Sequence, residues 1–102
     1  MNVRKKITRH LLDPFIHGET QQVTVTSGAY AVAVKKQGST IALFFEEDED
    51  ESRTETRTFF VFGTGETIPW DQGSFFTVYV GTVMLCDDTY VAHVYERERV
   101  VN

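Results

Sequence analysis

The chain has 102 residues, 41% of them apolar, which is enough for one domain with a real core and too few for two. Ten basic against fifteen acidic residues give a net charge of −5, which excludes a strongly basic nucleic-acid binder. The single cysteine, Cys86, excludes an internal disulfide and a cysteine-based zinc site, and no apolar run is long enough for a membrane-spanning helix.

Met1-Asn2-Val3-Arg4-Lys5-Lys6 is basic, but no apolar signal core follows it, so a soluble cytoplasmic protein is expected. Lys5–Leu12 reads as a short, mixed edge strand, broken by Asp13-Pro14. Thr20–Thr26 alternates Val23 and Val25 with polar residues, the pattern of a half-buried strand, and Ser27-Gly28 is a turn. Ala29–Val34 is apolar on both faces and reads as a central strand. Gln37-Gly38 makes a tight connection to Thr40–Phe45, and together these form the clearest hairpin.

An acidic loop is expected at 46–56. Its six consecutive acids, Glu46 to Glu51, exceed the whole net charge, and without them 10 basic residues face 9 acidic ones. Such a run repels itself and reads as a solvated tip outside the core. It has no glycine and no alternating ligand spacing, so it is not a calcium loop, and it is too local for a DNA mimic.

Arg57–Phe62 is the next strand, ended by Gly63-Thr64-Gly65. Ile68–Gly73 reads as a loop with one helical turn after Pro69. Phe76–Leu85 is a long strand in which Gly81 marks a bulge or a close backbone approach. After a turn at Asp87-Asp88, Tyr90–Glu96 puts Val91, His93 and Tyr95 on one face and Ala92 and Val94 on the other. The chain is therefore a single all-β domain over residues 1–102, a small antiparallel sandwich or open barrel of about seven short strands. Eight Phe, four Tyr and one Trp exceed what small sheets can bury, so a homo-oligomer, a dimer or tetramer through an aromatic sheet face, is expected. Basic residues gather near the ends, at Arg4, Lys5, Lys6, Arg9, Arg97 and Arg99. They would form one patch if the first and last strands pair, and would otherwise act as charges that guard sheet edges.

Gly63-Thr64-Gly65-Glu66-Thr67-Ile68-Pro69 follows a strand, and is either a tight turn needing positive φ or a backbone cradle for an anion. It is neither a Walker loop nor a dinucleotide fingerprint. His10, His17 and His93 have no metal-ligand spacing, and His93 can equally be a core or interface residue. Ser27, Ser39, Ser52 and Ser74 lie in turns without a nucleophile elbow, and carboxylates beside Cys86 disfavour a thiolate. No triad assembles, so no catalytic residue, metal or cofactor is expected and the chain reads as a non-enzyme. Trp70, Tyr79, Tyr90 and Tyr95 are candidates for stacking on a base, or for packing in a core or interface.

Four segments together resemble a family of small bacteriophage proteins of unknown function. They are the hairpin over 28–43, Gly63-Thr64-Gly65 through Ile68-Pro69, Tyr79-Val80-Gly81-Thr82, and His93-Val94-Tyr95-Glu96. The pattern is GTG-x-x-I-P, then Y-x-G-T, then H-V-Y-E. The acidic insertion departs from it, as does Glu66-Thr67 where many members have His-Pro. The resemblance implies a phage origin and action in the host bacterial cytoplasm. By analogy with anti-CBASS sponges, it further implies sequestration of a cyclic nucleotide immune signal without cleavage. The ligand-binding residues would then be Thr64, Gly65, Glu66, Trp70, His93 and Tyr95, with Arg97 and Arg99 on phosphate. Neither DNA nor a membrane is an expected partner. The alternative is a phage inhibitor of a host protein, or a small virion component, acting through the acidic run and open sheet edges.

Overall fold

The computed structural model describes residues 4–16, 19–68, 75–87 and 89–99. Seven antiparallel strands form two sheets: β1 (Lys5–Leu12), β2 (Gln21–Thr26), β3 (Tyr30–Gln37), β4 (Thr40–Asp48), β5 (Thr54–Gly63), β6 (Phe75–Leu85) and β7 (Tyr90–Arg99). One sheet runs β1-β4-β3 and the other β2-β5-β7-β6, so the fold is an open sandwich and not a closed barrel. Among the described residues there is no helix, hence none long and apolar enough to cross a membrane.

Alternation fixes which residues meet between the sheets. Ile41, Leu43 and Phe45 of β4 face Phe59 and Val61 of β5, with Val83 and Leu85 of β6 and Ala92 and Val94 of β7 completing the floor. The Phe45 and Phe59 rings meet edge-on with centroids 6.0 Å apart. Gln37 pairs with Thr40 across Gly38-Ser39, and Gly38 alone has positive φ, the pattern of a type II′ hairpin turn.

Gly81 combines both roles expected of it. The β6–β7 register shifts between Tyr79 and Gly81, and a Cβ built on Gly81 would stand 3.0 Å from Val34 Cβ and Cγ2 on the opposite sheet. Gly81→Ala is expected to cost about 1–3 kcal/mol by overpacking. Adding Val34→Ala in the same chain opens the space and should restore most of that loss in urea melts. A double variant no more stable than Gly81→Ala would show that the bulge, not the contact, needs glycine.

Three expectations change. The apolar segment at Ala29–Val34 leads into an edge strand, since β3 stands at the end of the order β1-β4-β3 and β4 is the central strand; a bulge between Ala31 and Ala33 interrupts its register, and Tyr30 and Val32 are exposed. The first and last strands lie in different sheets, so Arg4, Lys5, Lys6 and Arg9 do not share a sheet with Arg97 and Arg99. The acidic run is only half loop: Glu46, Glu47 and Asp48 belong to β4, and β5 begins at Thr54, leaving 49–53 as the connection. Glu47 is 5% exposed, against the expectation that no member of the run enters the interior. Strand alternation points it inward, and there the Thr8 hydroxyl and the Thr26 N–H (2.6 Å) donate to its carboxylate.

Candidate functional site

The outer face of the four-stranded sheet carries the residues of interest. Cross-strand pairing sets Phe60 opposite Tyr95, Phe62 opposite His93, Tyr79 opposite Tyr95, and Thr82 opposite His93. Directly opposed residues share a face, so all of these project away from the core. Phe60 and Phe62 stack at 5.8 Å, Phe62 meets Tyr95 edge-on at 5.8 Å, and Tyr95 meets Tyr79 at 5.5 Å. The two phenylalanines are buried, Tyr95 is half-buried, and Tyr79 is 56% exposed. A continuous aromatic floor thus ends in one accessible ring.

A hydrogen-bond chain crosses the same face. His93 Nε2 lies 3.0 Å from Thr64 Oγ1, and His93 Nδ1 lies 3.0 Å from Thr82 Oγ1. Thr82 Oγ1 in turn lies 2.7 Å from the Tyr79 hydroxyl. Hydroxyls donate or accept, so this pair of threonines fixes the imidazole plane in any of its protonation states. The β6 bulge makes the chain possible. In a regular strand, residues three apart point to opposite faces, but the shift between Tyr79 and Gly81 puts both Tyr79 and Thr82 outward.

Thr64 is delivered by a tight turn. The Glu66 N–H donates to Gly63 O at 3.2 Å, and Gly65 has φ +92°, the third-position glycine of a type II turn. The Gly63 N–H donates to the Glu66 carboxylate at 2.8 Å. Two of the turn's N–H groups are thus engaged within the turn, one of them by its own carboxylate, and the backbone angle alone requires Gly65.

Of the residues expected in a site, Thr64, His93 and Tyr95 come together, with Gly65 and Glu66 shaping the turn. Arg97 follows on the same face of β7, its guanidinium carbon 5.9 Å from the Phe60 ring centroid. Arg99 is reached only through its backbone, which pairs with Phe75 at the end of β7. Trp70 lies outside the described residues. Tyr90 is not on this face: its hydroxyl donates to Pro14 O at 2.6 Å and its ring stacks on Phe15 at 5.4 Å. Sequence reasoning did not place Thr82, nor Phe60 and Phe62 as the floor, in the site; the Y-x-G-T spacing was the available signal for Thr82. Among the described residues, no group of three His, Cys, Asp or Glu side chains is placed to hold a metal ion.

The Thr64, Tyr79–Thr82 and His93–Tyr95 segments, far apart in the chain, therefore converge on one surface. A family model described as a domain of unknown function (DUF7352) matches residues 3–102, nearly the whole chain. The chain belongs to this family. No curated protein and no solved structure matches it. The family carries no stated activity, so the face itself has to support any functional reading.

Proposed function

We propose that the chain is a non-enzymatic binding protein that takes a nucleotide on the outer face of its four-stranded sheet. The observation that carries this reading is the Thr64–His93–Thr82–Tyr79 chain beside an aromatic floor. Both imidazole nitrogens are engaged by threonine hydroxyls and Thr82 also meets the Tyr79 hydroxyl, which supports rings held in place on this face. The exposed Tyr79 ring offers a stacking surface that any base can use. Arg97 supplies a cation two residues beyond Tyr95 on the same strand face.

The resemblance to small phage proteins narrows the ligand class to a cyclic nucleotide immune signal, sequestered and released intact. An open sheet face covers only one side of such a ligand. A second copy facing the first would enclose it, which makes a homo-oligomer part of the proposal. Thermal shifts against cyclic di- and trinucleotides, cyclic ADP-ribose isomers and linear controls test this. One cyclic nucleotide should raise the melting temperature and be recovered uncleaved. Tyr79→Ala, an exposed change that leaves the core alone, should weaken that ligand by roughly 1–3 kcal/mol, about 5- to 150-fold. A flat panel, or a shift that Tyr79→Ala and His93→Ala leave untouched, overturns the reading.

A further inference from the structure

The outer face of the three-stranded sheet carries most of the exposed large apolar side chains. Ile41, Leu43 and Phe45 point into the core, so alternation turns Ala42, Phe44 and Glu46 of β4 outward. Cross-strand pairing sets Ile7 of β1 and Tyr30 of β3 beside Glu46, Arg9 and Ala33 beside Phe44, and Leu11 and Lys35 beside Ala42. Seven large apolar side chains are exposed among the described residues. Four of them, Ile7, Leu11, Tyr30 and Val32 at the β3 bulge, belong to this sheet and are 49–68% exposed. Only Tyr79 and Met84 belong to strands of the other sheet. A cluster of this kind marks an interaction surface.

Charge selects the occupant. One end of the face, where β4 runs out, carries Asp48, Glu49 and Asp50, and the opposite end of β3 carries Lys35 and Lys36. Lys35, Lys36, Glu49 and Asp50 are exposed, and none has an ion-pair partner among the described residues. The Lys5–Glu46 pair at 3.0 Å is already made within the chain and adds nothing here. A face that is acidic at one end, basic at the other and apolar between them matches a copy of itself turned end for end.

We propose that two copies of the chain pair through this face, about a two-fold axis that crosses the strands at Phe44. Phe44 then meets Phe44 of the second copy, Ile7 lies over its Leu11, and Tyr30 over its Lys35. Lys35 and Lys36 approach the acidic end of the second copy. Arg9 clears its own counterpart, because its guanidinium reaches past Ala42 to Gln37 Oε1 at 3.0 Å, away from the axis. A two-fold axis along the strands would instead set Glu46 on Glu46 and Asp48 on Asp48, which like charge disfavours. Three strands ~4.8 Å apart, with eight residues at ~3.3 Å each, cover roughly 14 × 26 Å. With side-chain relief on both copies this reaches roughly 1,000 Å², the low end for specific interfaces, so the dimer is a micromolar one. It needs no ligand and does not rest on the nucleotide reading, which uses the other sheet.

Sedimentation velocity on the ligand-free full chain, from about 1 to 500 μM, brackets such a dissociation constant. The chain should pass from monomer to dimer across this range. Ile7→Lys with Leu11→Lys should raise the dissociation constant at least ~10-fold, since each copy then brings two unpaired charges into the interface. Both side chains are exposed, so this variant should melt as the parent does at the lowest concentration. Met84→Lys, an equal change on the outer face of the other sheet, should leave the dissociation constant alone. In a Cys86→Ser background, Ile7→Cys chains mixed with Leu11→Cys chains should cross-link through a short bis-maleimide better than either chain alone. A monomer throughout, a dimer that survives the double lysine variant, or a dimer broken by Met84→Lys instead overturns the proposal. Cross-linking of each cysteine variant to itself as readily as to the other overturns it too.

Discussion

Arg57→Ala is expected to destabilise the protein by ~3–5 kcal/mol, moving the urea midpoint by roughly 2 M. The reason lies with what remains. Glu96 is 6% exposed, and both of its carboxylate oxygens are engaged by Arg57 Nε and Nη2. Its inward direction is dictated by Val94 and Ala92 on the same face of β7. Without the guanidinium a carboxylate stays in the interior with no countercharge, and Ala29 O loses its donor. The stacking of the guanidinium over the Phe45 ring, 5.3 Å from its centroid, is lost as well. A buried ion pair is nevertheless weak evidence for net stability, because desolvating both charges offsets most of their attraction. Arg57→Met combined with Glu96→Leu should therefore recover most of what Arg57→Ala loses. A single variant costing under ~1 kcal/mol would mean that water reaches Glu96 and the pair is a surface feature.

The number of strands was legible because alternation with period two survives in nearly every element. Several limits were not: β3 runs to Gln37, β4 to Asp48 and β7 to Arg99, and β5 starts at Thr54, each three residues beyond the expected bound, because charged residues continue these strands. β1 was readable to the residue, and the inward set Val23, Val25, Phe59, Val61, Ala92 and Val94 follows from parity alone. What parity does not carry is which strands pair. Ala31, Ala33 and Val34 are apolar on both faces, which normally marks a strand covered on both sides. Here a bulge and an edge position produce the same composition. The acidic run hid Glu47 for a related reason. Its partners Thr8 and Thr26 are 39 and 21 residues away, so their hydrogen bonds exist only once β1, β2 and β4 are assembled. The site was half legible. Thr64, His93 and Tyr95 could be singled out, but Thr82 could not be set beside Tyr79, because only the bulge brings positions 79 and 82 to one face.

Glu47 supplies the second large effect, and it depends on pH. Burial pushes its carboxyl up, but hydrogen bonds from the Thr8 hydroxyl, the Thr26 N–H and the His10 ring outweigh that and hold it below the ordinary value of 4.5. A carboxyl that is more acidic when folded than when unfolded contributes stability above the unfolded value. That contribution is lost as the pH falls through the folded value. The wild-type chain should therefore lose stability below about pH 4.5, faster than its exposed carboxylates alone would cause. Glu47→Ala should cost roughly 2–4 kcal/mol at neutral pH, since the Thr26 N–H and the Thr8 hydroxyl are left without an acceptor. Glu47→Gln separates shape from charge. Its carbonyl oxygen still accepts from Thr26 and its amide can donate to the Thr8 hydroxyl, so it should cost about 1 kcal/mol or less. Lacking a titratable group, it should also flatten the acid limb of the stability profile. An acid limb unchanged in Glu47→Gln would place the pH dependence elsewhere, and would reduce Glu47 to a packing residue on β4.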